Sequence, residues 1–201
     1  MNYIAKGNYG YIRSEKRRRL IIAAGLLLIP IIVFIIGIIV TGKRETILTV
    51  ICVVGTLPAC RAIVSFIMMV MRKPMNPDDY EAISKHTGSL TTAYELYITA
   101  YDKSALIDAF AICGNTVVGY VTDPQADLRY EENHITKILR SNGCSSKVNL
   151  LKDRKKFIER LDSMNEHAEA LREGIRFTPD SRYPDMGIEE VIREVLLAIA
   201  L

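Results

Sequence analysis

The sequence predicts a two-helix transmembrane hairpin followed by a soluble α/β (α+β) domain with the element order α-β-β-β-α-β-α-α. Three observations carry that prediction. Two long apolar runs lie near the N-terminus, a short polar break separates them, and after Lys73 the texture changes to short segments with strand or helix periodicity. The boundaries that follow are a basic cytoplasmic segment over 1–19, a first span over 20–42, an extracytoplasmic turn over 43–46, a second span over 47–71 and a cytoplasmic domain over 74–201.

From Leu20 to Val40 the chain carries no charged residue. At the rise of an α-helix this run extends about 30 Å, the thickness of a bilayer core. It is too long for the apolar region of a cleavable leader, and no small-residue cleavage site follows it. Pro30 inside it is tolerated where neighbouring helices satisfy the freed carbonyl. The second run, Ile47 to Met71, contains Pro58 and Arg61 near its middle. A central Arg costs about 3 kcal/mol on the insertion scale, whereas its twelve Leu, Ile, Phe and Val residues return roughly 4 to 7 kcal/mol, so insertion prevails. Arg61 then either snorkels to a headgroup, pairs with backbone carbonyls in an oligomer, or lines an ion or substrate path. Neither span holds an acid to partner it in transport, which favours the first two readings. Gly55 and Ala59 have the small-xxx-small spacing that lets backbones approach, either in self-association or in packing of the hairpin.

Only TGKRET (Thr41 to Thr46) separates the spans, which forces an antiparallel hairpin with both ends on one side. Residues 1–19 hold six Lys/Arg against one acid, residues 20–73 five against one, and residues 74–201 fifteen against twenty-one. The basic flanks outweigh Lys43 and Arg44 in the turn, so both termini are expected in the cytoplasm. An acidic soluble part argues against nucleic acid as its default partner. In a reducing compartment Cys113 and Cys144 are expected as free thiols, with Cys52 and Cys60 as intramembrane packing residues.

Beyond the membrane segment, Asn76 is placed to cap a short helix that has Pro77 at its first position, Asp78 and Asp79 in its first turn and Gly88 past its end. Alternation in Thr91 to Asp102, then Ala105 to Cys113 and Thr116 to Asp123, predicts three strands. Gly114-Asn115 suits a two-residue type II′ turn between the last two. The middle strand is apolar on both faces apart from Asp108, which makes it central. A helix over Glu131 to Asn142 and a short strand over Ser146 to Leu151 follow. Asp153 then caps a long helix whose apolar positions Phe157, Leu161, Met164, Ala168 and Leu171 form a core face or a partner seam. Five positions are too few for a coiled coil, which favours the core. After a loop rich in Pro and Asp, Ile188 to Leu201 closes the chain as a very apolar helix.

This order, from Pro77 to Leu171, resembles the core of the restriction-endonuclease-like fold, which includes the NERD-type and PD-(D/E)xK nucleases. The resemblance rests on element order alone. It implies that Asp108 in LIDAFAI matches the acid that such enzymes place in their second strand, with Glu81 in the leading helix as the extra acid of some members. Where the family has its E-x-K set, the third strand supplies Val118, Gly119, Tyr120 and Val121. That departure removes most of the metal site, leaving Asp108 with Glu95 or Asp123 as the remaining metal-holding combinations.

Other chemistry is missing from the pattern. GNTVVGY (Gly114 to Tyr120) has two glycines but lacks the Lys-Ser/Thr of a phosphate loop and lies in a hairpin. His86, His134 and His167 lack a second ligand at metal spacing, and Cys113 and Cys144 form no CxxC. No G-x-S-x-G elbow occurs. The leading expectation is a membrane-anchored, non-catalytic binding or scaffold domain without a cofactor, whose partners are the bilayer and a cytoplasmic protein or small ligand. Two alternatives stay open. One is a membrane-bound metal-dependent hydrolase or nuclease centred on Asp108; the other is a small channel or transporter subunit that uses Arg61 and assembles through the second span.

Overall fold

The computed structural model describes residues 4–42, 47–100, 103–173, 175 and 186–200. The expected turn over 43–46 lies outside them. The chain forms two compact units, one over Ile12–Lys73 and the other combining Met1–Tyr11 with Pro74–Leu201.

The first unit is a pair of helices, α1 (Tyr11–Thr41) and α2 (Ile47–Val70), both long and apolar enough to cross a membrane. The first begins nine residues before the apolar run, because Arg and Lys are good helix formers and Glu15 pairs with Arg18 and Arg19 one turn on. Burial recurs at intervals of three and four, at Ala23, Leu26, Pro30, Val33 and Gly37 on α1 and at Cys52, Gly55, Ala59 and Ala62 on α2. Contacts join Lys16 Nζ to Val70 O at 3.1 Å and Arg19 Nη1 to Ser65 Oγ at 3.0 Å, and Pro30 Cβ lies 3.8 Å from where a Cβ on Gly55 would stand. Partners descend on α2 as they ascend on α1, so the helices are antiparallel. Their seam is made mostly of small residues, which permits close approach without large side chains.

The second unit is a three-layer α/β/α arrangement. Its sheet has the order β1-β2-β3-β4, with β1 (Thr91–Ala100), β2 (Lys103–Cys113) and β3 (Thr116–Tyr120) antiparallel and β4 (Lys147–Leu151) parallel to β3. The strand expected to be central, β2, lies between β1 and β3. Gly114 has φ +55 and Asn115 has a negative φ, the combination of a type II′ turn. α4 (Leu128–Ser141), capped by Asp127, makes the crossover from β3 to β4. It packs with α7 (Ile188–Ile199) on one sheet face, where Phe110, Ile112, Ile135, Leu139, Ile192 and Leu196 are buried together. On the other face α3 (Pro77–Ser84), with Asn76 Oδ1 accepting from Asp78 N, lies with α5 (Arg154–Glu166) and α6 (Ala168–Arg172).

Two features differ from the sequence reading. The long helix breaks at His167, which leaves helical geometry (φ −108, ψ 19) while its Nδ1 donates to Ser163 O at 2.9 Å. Phe157, Leu161, Met164 and Ala168 nonetheless share one buried face, so the periodic positions are core. The N-terminal segment is also divided: residues before α1 pack on the second unit. Tyr94 N donates to Gly7 O at 2.8 Å, Tyr9 stacks on Tyr80 with ring centroids 3.8 Å apart, and Lys6 Nζ bonds Ala200 O.

Candidate functional site

The alternation of β1 and β2 fails at a shared point. Ala93 shares a core cluster with Leu96 and Ile98, and Phe110 and Ile112 share the same cluster with Ile107, so each strand shifts its facing by one residue. The flanking pairs Tyr94↔Ala109 and Leu96↔Ile107 set Glu95 opposite Asp108. Glu95 takes φ +55, the left-handed region that costs a residue with a Cβ about 1–2 kcal/mol. Both carboxylates are buried, each 3% exposed. Glu95 Oε1 accepts from Met75 N at 3.1 Å, which ties the strand to the segment leading into α3.

Asp108 Oδ2 accepts from Thr122 N at 2.8 Å and Thr122 Oγ1 at 2.6 Å, just past the end of β3. Burial pushes its carboxyl above the usual aspartate range, the Thr122 bonds oppose that shift, and the negative charge of Asp79 reinforces it. Asp79, on α3, is held by Arg154 Nη1 of α5 at 2.8 Å. Tyr120 sits within the electrostatic reach of Asp79, Asp108 and Arg154; burial raises its hydroxyl, a bond to Thr122 opposes, and its ring packs against Phe157. Asp108 is thus faced by Glu95 across the β1–β2 ladder, by Tyr120 and Thr122 at and just past the end of β3, and at longer range by Asp79 of α3 with its partner Arg154. Chemically, Asp108 is a carboxyl whose burial favours its protonated form.

Of the candidate acids, the structure brings Glu95 and Asp108 together. Glu81 points outward, 73% exposed, in an ion pair with Lys85 at 2.9 Å. Asp123 is exposed and accepts from Gln125 N at 2.9 Å in a local turn. Among the described residues no group of three or more His, Cys, Asp or Glu side chains is arranged to hold a metal ion. The acid of α3 that joins the cluster is Asp79. The sequence carried a signal for it, since Asp79 and the buried Ile83 are one helical turn apart and share a face. Arg154, Tyr120 and Thr122 had no such local signal.

In the helix pair, Ala59 is fully buried and Gly55 packs against Pro30, so the small-residue stripe lies on the seam between α1 and α2. Arg61 lies on the exposed surface of α2. The four cysteines are free thiols. Comparison of the chain with family models, with curated proteins and with solved structures finds no match.

Proposed function

We propose that this chain is a membrane-anchored, non-catalytic binding module, with its α1–α2 hairpin in the bilayer and its α/β unit in the cytoplasm, where it engages a protein partner or a small ligand. The observation that carries this reading is the distribution of exposed apolar side chains. Among the described residues, every exposed large hydrophobic side chain other than Tyr130 and Met186 belongs to α1 or α2 or, as Met71, directly follows α2. A water-soluble surface does not gather that much contiguous apolar area, whereas a bilayer core requires it. The α/β unit, by contrast, buries its own core on both sheet faces.

The second unit contains residues from both ends of the hairpin, 4–11 and 74 onward, which supports a two-pass path with both ends on one side. The excess of Lys and Arg at those ends supports the cytoplasmic side. A non-catalytic role is supported by the lack of metal-binding side chains at Val118, Gly119 and Tyr120 of β3, and by the engagement of Asp108 with Thr122. Extraction of membranes with alkaline carbonate tests the anchor: the chain is expected in the pellet, and release into the supernatant would refute it.

The opposition of Glu95 and Asp108 favours one second reading, a divalent-metal hydrolase. Calorimetry of the full chain in detergent with Mn²⁺ discriminates the two. Saturable binding abolished by Asp108→Asn supports the hydrolase, and its absence from the folded wild type supports the binding module.

A further inference from the structure

We infer that Arg61 holds the phosphate of an anionic phospholipid, in the leaflet on the side of the chain termini. This rests on the membrane-spanning reading of the hairpin and deepens it by naming the ligand of one residue. Arg61 follows the fully buried Ala59 by two positions, about 200° around the helix, so it points away from the seam and from α1.

The antiparallel register sets its depth. Arg19 Nη1 reaches Ser65 Oγ at 3.0 Å, and the apolar run of α1 begins at the next residue, Leu20, so Ser65 stands level with the start of the apolar run of α1. Arg61 is one turn further in, about 6 Å along the axis. That distance is within the reach of an arginine that lays its stem along the helix and returns its guanidinium to the headgroup level. Counting along the apolar run puts Arg61 near the middle of the span; the register puts it close to the boundary.

The nearby basic residues divide into two groups. Lys16 donates to Val70 O and Arg19 to Ser65 Oγ, which joins the two helices, and Arg18 bonds Glu15 within α1. Arg61 makes no hydrogen bond or ion pair among the described residues, and neither apolar run contains an acid, so a second copy of the hairpin offers it no carboxylate from its spans. A counter-charge at that level therefore comes from the lipid. A phosphodiester matches the guanidinium fork with two parallel bonds, and the exposed Arg13 and Arg17 raise the local concentration of anionic headgroups.

The test is titration of the purified full chain, in neutral detergent, with phosphatidylglycerol, with bound lipid counted by native mass spectrometry. Arg61→Gln is expected to weaken binding about fivefold, the equivalent of the ~1 kcal/mol that a basic residue contributes at an anionic membrane surface. Arg61→Lys, which keeps the charge but not the fork, is expected to bind with an affinity between those of wild type and Arg61→Gln, and Lys43→Gln, between α1 and α2 in the sequence, with the full affinity. Equal affinity of wild type and Arg61→Gln, with both proteins retained in liposomes through carbonate extraction, would overturn the assignment. Release of the wild type from liposomes would instead refute the anchoring reading on which it rests.

Discussion

Glu95 and Asp108 face one another across the β1–β2 ladder at the point where both strands shift their facing, and both carboxylates are buried. Two acids set opposite each other inside a fold lower its stability unless at least one keeps its proton. Burial raises the Asp108 carboxyl in that direction, against the two bonds that Thr122 donates to it.

Asp108→Asn keeps an oxygen for Thr122 and removes the ionisable group. Because burial raises the Asp108 pKa in the folded state, its contribution to stability is complete below the ordinary aspartate pKa and is lost as pH rises through the raised value. The stability of Asp108→Asn relative to wild type should therefore increase as pH rises above the ordinary aspartate range, about pH 4. Asp108→Ala leaves Thr122 N–H without its acceptor and should cost about 1–3 kcal/mol. Urea denaturation across that range checks both.

Glu189 joins four elements. It accepts from Arg172 Nε and Gly114 N at 2.8 Å and from Thr91 Oγ1 at 3.0 Å, linking α7 to α6, the β2–β3 turn and the start of β1. Burial alone would raise its pKa, but the bonds from Arg172, Gly114 and Thr91 prevail and hold it below the usual glutamate range. Its stabilisation is therefore present above that range and lost as pH falls through the lowered value. Glu189→Ala is expected to cost about 2 kcal/mol at neutral pH, with the difference from wild type shrinking in acid. Denaturant midpoints at neutral and acidic pH measure it.

The segment before α1 is part of the α/β unit, so its backbone matters to that unit. Gly7 has φ +86, and a Cβ there would stand 2.6 Å from Leu197 Cδ2. Gly7→Ala should lower the stability of the unit by about 1–2 kcal/mol, and circular dichroism on urea titration of the full chain reads the loss. No loss would show that the Gly7–Tyr94 bond does not contribute to the sheet edge.

Ala59 lies on the seam of the hairpin, and Leu57 lies outside it. Ala59→Leu should destabilise the helix pair by about 1–3 kcal/mol, whereas Leu57→Ile should leave it unchanged. Thermal melting in a mild detergent distinguishes the two.

Much of this fold is written in local pattern. Continuous apolar runs gave the two helices, alternation gave the strands, a glycine at the hairpin gave its turn type, and the apolar character of β2 on both faces gave its central place. Features that depend on distant segments were not legible. The break at His167 leaves the apolar spacing of Phe157, Leu161, Met164 and Ala168 intact, so periodicity cannot reveal it. The shift of facing at Asp108 lies in a strand that is apolar on both sides, where alternation carries little information, and at Glu95 it runs against the alternation that marks β1, which sets Glu95 with Tyr97 and Thr99. The docking of Lys6, Gly7 and Tyr9 onto residues far along the chain has no local signature. Asp108 stands out in the sequence as the one charge within the otherwise apolar run Ala105 to Cys113, whereas Asp79 and Glu81 are acids of the same helix, and only packing tells the inward one from the outward.

The most direct test of the account is cysteine labelling in intact cells with a membrane-impermeant maleimide, using Lys43→Cys in the turn between the helices and Glu159→Cys on the exposed side of α5. A bilayer-spanning hairpin with both ends in the cytoplasm predicts labelling of Lys43→Cys from outside and labelling of Glu159→Cys only after permeabilisation. Labelling of Glu159→Cys in intact cells, or protection of Lys43→Cys until the membrane is opened, would contradict it.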